Sequence, residues 1–189
     1  MEIGIFGVVK EFLDACDKVL NSNTFLLGFR LSGGDLRQEV TLFIRSQEFL
    51  QQLLQQDIER GWNNLHYFRD DDGPLVVKQG ELVKPVFELG LTRFLGSPKE
   101  YFMAMLMGDT RIGNFCSFYG RALDRGQAEV MAEEFMAGRD LELFLLEPNF
   151  LEETADLDRI CYFEPNGCNT ATVLVCGREA WLLLTNGIP

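Results

Sequence analysis

Two apolar runs near the C-terminus, residues 170–176 (Thr-Ala-Thr-Val-Leu-Val-Cys) and 180–185 (Ala-Trp-Leu-Leu-Leu-Thr), leave neither face of a strand polar. Successive side chains of a strand point to opposite faces. A strand that is apolar on both faces needs cover on both sides. Gly177 and Arg178 lie between the runs and supply a turn. At least one of the two strands is therefore predicted to be central in a sheet, with packing above and below it. A chain of 189 residues can bury such a sheet without disulfides or metal.

Helical spacing appears in several places. Val9, Phe12, Leu13, Cys16, Val19 and Leu20 recur at three and four, which predicts an amphipathic helix ended by residues 21–23. Ser46 is placed to cap a helix whose stripe is Phe49, Leu50, Leu53, Leu54 and Ile58, with Gln51, Gln52, Gln55 and Gln56 on the opposite face. Ser97-Pro98-Lys99-Glu100 combines an N-cap serine, proline at the first helical position and a capping-box glutamate, and this helix should end near Gly108. Residues 127–136 read as a further helix, with Ala128, Met131, Ala132 and Phe135 on one side.

Alternation predicts a hairpin from Phe25, Leu27, Phe29 and Leu31 paired with Leu36, Val40, Leu42 and Ile44, turning at Ser32-Gly33-Gly34-Asp35. Gln38 and Phe43 break the second strand's pattern. Residues 65–69 and 75–78 read as another hairpin, around Asp70-Asp71-Asp72-Gly73-Pro74. Residues 83–89 carry Pro85, which suits an edge strand or a bulge. Residues 141–146 and 159–163 complete the strands, and Asn166-Gly167 supplies a turn. Residues 111–123 fit neither period. The whole predicts an α+β fold: a mainly antiparallel sheet built from hairpins, with about four helices packed on it. Residues 1–189 read as one domain, with residues 91–97 as the one weak boundary.

Charge is uneven. Of the net charge of -12, residues 129–158 hold ten acids against the single base Arg139. Carboxylates this dense face water or a positive partner. A pI near 4.5 argues against binding nucleic acid or an anionic membrane surface. No run approaches 18 consecutive apolar residues, and the N-terminus lacks a signal-peptide pattern. Five cysteines without scaffold spacing suit reduced thiols and a cytoplasmic location.

Motifs for common chemistries are missing. There is no G-x-S-x-G, Walker A, G-x-G-x-x-G or H-E-x-x-H. His66 is the only histidine, so any Ser/His or Cys/His hydrolase would need it, and no nucleophile signature accompanies it. The aspartates at 70–72 fail a calcium EF-hand loop, because its sixth position would be Leu75 rather than glycine. Cys161, Cys168 and Cys176 are too widely spaced for a zinc pair, and Cys161 and Cys176 suit the core. Cys168 falls on a turn, where an exposed thiol could react. No metal or cofactor is expected.

The sequence reading is thus a non-catalytic, protein-binding module of regulatory, assembly or antagonist type. It would dock a basic partner through Glu133, Glu134, Asp140, Glu142 and Glu147, with Phe135, Phe144 and Phe150 as apolar anchors. The competing reading is a small enzyme or ligand-binding domain with a pocket near Tyr119 and Arg121, using His66 or Cys168.

Overall fold

The computed structural model describes residues 3–61, 89–113, 115, 117, 120–147 and 170–187. Five helices and five strands follow in the order α1 (Ile3–Leu20), β1 (Ser22–Arg30), α2 (Leu36–Ile44), α3 (Gln47–Glu59), β2 (Gly90–Arg93), α4 (Pro98–Met107), α5 (Arg125–Met136), β3 (Glu142–Glu147), β4 (Thr170–Cys176) and β5 (Glu179–Gly187). The strands form one antiparallel sheet in the order β1-β5-β4-β3-β2. This is the α+β class predicted above, and both apolar runs are interior strands.

Each face of the sheet is buried under its own helices. Ala171, Val173 and Val175 of β4, with Ala180, Leu182 and Leu184 of β5, meet Val40, Phe43 and Ile44 of α2 and Phe49, Leu50, Leu53 and Leu54 of α3. The alternate residues Leu174 and Leu183 meet α1, α4 and α5, where Phe12, Phe102 and Phe135 form a ring cluster. Tyr101 of α4 crosses to the sheet, its hydroxyl 2.6 Å from Thr172 Oγ1, which satisfies two buried polar groups at once.

One strand assignment is overturned. Residues 36–44 are helix α2, and β1 pairs instead with β5, Phe25 opposite Leu184 and Phe29 opposite Ala180. Leu36, Val40, Phe43 and Ile44 make a helical stripe in which Phe43 is a regular member, not an exception. Local chemistry favours the helix. Asp35 is its N-cap and accepts from Gln38 N at 2.9 Å. Glu39 folds back to accept from Ser32 N at 2.6 Å and Gly33 N at 3.0 Å, and these bonds lower its pKa. Gly33 has φ 100, which a side chain would resist.

Other elements follow the pattern more closely. Ser97, Pro98 and Glu100 form the complete capping box, and α4 closes on Gly108 in the left-handed region. Ser46 caps α3, accepting from Phe49 N at 3.1 Å. In α3, however, Ile58 is 43% exposed and Asp57 is buried beside the stripe. Helix α1 begins at Ile3, earlier than its apolar spacing indicated, and ends at Asn21, φ 47. Residues 91–97 include part of β2, paired antiparallel with β3. The expected elements at 65–69, 75–78 and 159–163 lie outside the described residues, as does the expected strand 83–89 apart from Leu89.

Candidate functional site

The acidic segment is divided by the fold. Asp124 caps helix α5, accepting from Gln127 N at 2.9 Å. Ala128, Ala132 and Phe135 turn inward and are buried. Phe135 stacks on Phe12 at 4.0 Å between ring centroids, so it belongs to the core rather than to a surface. Glu133 and Glu134 are exposed on the outer side. Asp140 is exposed in the connection to β3, and Glu142 and Glu147 are the exposed ends of that strand. Phe144 is half-buried and packs against the core under α2 and α3, on the face away from α5. Phe150 lies outside the described residues, as do His66, Tyr119 and Cys168.

Part of the acidity is neutralised internally. Lys99 Nζ of α4 reaches Glu129 Oε1 and Glu133 Oε1, each at 2.6 Å. These hydrogen bonds raise the pKa of Lys99 and lower that of Glu129. Glu142 pairs with Arg93 across the β2–β3 ladder. Among the described residues, Glu134, Asp140 and Glu147 have no ion pair.

An apolar hollow lies beside Glu134. A hollow of about 460 Å³ is lined by Leu123, Val130 and Met131, with Glu134 on its rim. Val130 is 56% exposed. Leu123 and Met131 also line an adjoining hollow of about 760 Å³ against α1, floored by Ala15 and Val19. Glu11, Asp14, Lys18 and Arg121 edge this second hollow. Asp14 is tied to Lys10 at 2.6 Å and to Arg60 at 2.8 Å. Arg121, expected near a pocket with Tyr119, is one of the residues around this second hollow, and Tyr119 lies outside the described residues. The sequence reading missed Val130, Glu11 and Asp14. The only signal for Val130 was an apolar residue off the α5 stripe.

Among the described residues there is no group of three or more His, Cys, Asp and Glu side chains placed to hold a metal ion. Among them, too, no helix is long and apolar enough to cross a membrane. Cys16 and Cys176 are free thiols. Cys16 is fully buried, and burial raises its pKa well above the ordinary thiol value.

The fold and these hollows define a small α+β protein with an antiparallel sheet covered by helices on both faces. Compared with family models, curated proteins and solved structures, the chain finds no match.

Proposed function

We propose that this protein is a non-catalytic docking module of the cytoplasm, regulatory or assembling in role, that binds a basic protein partner through the outer face of α5. One observation carries this reading: Val130, 56% exposed, sits with Leu123 and Met131 in a hollow whose rim holds Glu134, a carboxylate without an ion pair among the described residues. An interface needs an apolar anchor inside a polar rim, and here both come from one helix. The continuous groove toward α1 suits an amphipathic partner helix, its apolar side on Leu123 and Met131 and its basic side toward Glu134 and Glu11. The net charge of -12 would speed encounter with such a partner and repel nucleic acid. Asp140 and Glu147 extend the negative field, whereas Glu133 and Glu142 already have cations beside them.

The test is capture from the host's own lysate by wild type and by a Val130→Asp, Glu134→Lys double variant. A basic protein that wild type retains at low salt, that elutes as salt rises, and that binds the variant about tenfold more weakly supports the reading. Equal retention by wild type and variant overturns it. A second reading rests on Arg121, which edges a hollow large enough for a small ligand. Stabilisation by a small molecule that depends on Arg121 and is insensitive to the α5 variant would favour it.

A further inference from the structure

A third hollow, on the other side of α1 from the groove at Arg121, has a different character. It is a cleft of about 810 Å³ lined by residues of β1, β4 and β5 together with Val9 of α1, Gln52 of α3 and Phe135 of α5. That volume is within the range of small-molecule sites. Its floor is apolar: Leu26 of β1, Leu174 of β4, Phe135 of α5 and Leu141. Trp181 of β5 forms one wall and is half-buried. Gly28 lies opposite Trp181 in register, and a Cβ there would come within 3.3 Å of the indole Cδ1. A side chain at position 28 would crowd the indole, and glycine leaves it room.

The charge at the mouth is specific. The Arg139 guanidinium lies over the Trp181 ring, 5.6 Å from its centroid. It makes no ion pair among the described residues. Arg30 also lines the cleft, with Glu179 opposite it across the β1–β5 ladder. Among the described residues Arg139 thus stands above an apolar floor with no ion-pair partner, in a chain that is otherwise strongly negative.

We propose that this cleft binds a small amphipathic monocarboxylate, its apolar body on Leu26, Leu174 and Phe135 and its carboxylate on Arg139. A guanidinium already held against an aromatic face loses little freedom when it takes a carboxylate in a two-pronged hydrogen bond. A dianion would meet Glu179, and a cation would meet Arg139. The site is separate from the α5 outer face and does not depend on the docking reading.

The probe is decanoate, with decanol as its neutral counterpart, titrated against the fluorescence of Trp181. The chain has two tryptophans, so a Trp62→Phe background isolates the signal. Saturable quenching by decanoate is expected, weakened about tenfold by Arg139→Gln and only partly restored by Arg139→Lys, which keeps the charge but not the planar fork, while decanol binds both variants alike. Absence of a saturable response up to about 1 mM decanoate overturns the proposal. So does equal decanoate affinity in wild type and Arg139→Gln, with circular dichroism confirming that the variant is folded.

Discussion

Gln56 holds both backbone groups of Leu26: its Oε1 accepts from Leu26 N at 3.2 Å and its Nε2 donates to Leu26 O at 2.8 Å. Gln52 does the same for Gly28, at 2.9 and 2.8 Å. The match follows from the two geometries. Four helix residues rise about 6 Å and two strand residues about 6.8 Å, so side chains four apart on α3 meet alternate amides of β1. Arg60 is the next step. It pairs with Asp17, whose Oδ1 accepts from Thr24 N at 2.7 Å. The outer edge of β1 is thereby satisfied by side chains where another strand would otherwise lie.

Replacing Gln52 or Gln56 with Leu removes two hydrogen bonds from an edge strand. Each substitution should lower stability by about 1–3 kcal/mol, read as a lower urea midpoint. The double variant should also self-associate with rising concentration on size-exclusion chromatography with light scattering, because the freed edge can pair with another chain.

Tyr101 and Thr172 share one buried hydrogen bond of 2.6 Å. Tyr101→Phe and Thr172→Val should each cost about 1–2 kcal/mol, since each strands the other hydroxyl. The double variant should cost less than the sum, and a thermodynamic cycle from urea melts measures the difference. Burial also pushes the Tyr101 pKa up to about 12, so its phenolate absorbance should emerge only at strongly alkaline pH.

Asp17 is the partly buried carboxylate most displaced from its ordinary range among the described residues. Burial raises its pKa from 3.8 to about 6, against the opposing pull of Arg60 and the Thr24 N–H. The native state therefore holds a proton that the unfolded state has released between those values. This contribution to stability is complete below about pH 4 and is lost as pH rises through about 6, a fall of roughly 3 kcal/mol. Asp17→Asn keeps an acceptor for Thr24 N and has no such slope. Urea melts of both proteins across pH 4–7 would show the difference; parallel profiles would refute it.

Gly108 closes α4 with φ 62, and a Cβ there would lie 2.7 Å from Ser117 N. Gly108→Ala combines left-handed strain with a backbone clash. It should lower stability by about 2–4 kcal/mol, visible as a drop in melting temperature. Gly120→Ala shares the positive φ but meets nothing within 4 Å among the described residues, so it should cost only about 1–2 kcal/mol.

What could be read in advance was local. The capping box at Ser97–Glu100 and the two-faced apolar runs at 170–185 carry their meaning within a few residues, and the structure has both. Residues 36–44 satisfied alternation and helical spacing together. The decision lay in Asp35 and in Glu39 binding back to Ser32, a three-dimensional arrangement that alternation does not register. The pairing residues of β1 and β5, from Arg30–Glu179 to Ser22–Gly187, are about 150 or more residues apart, beyond any hairpin rule. Gln52 and Gln56 read only as the face opposite the apolar stripe, because their polarity is the same whether water or a strand edge receives it. The acidic segment was legible as charge, but not that Lys99 and Arg93 would neutralise part of it or that Phe135 would belong to the core.

The amides of Thr24, Leu26 and Gly28 sit on the outermost strand, where deuterium from solvent would ordinarily replace hydrogen quickly. Here each is bonded to a carboxylate or carboxamide oxygen of a packed helix. Their exchange must wait for that helix to lift. At Leu26 and Gly28 the helix is α3, so these two amides keep time for its excursions, and their slowness would measure how rarely that layer opens.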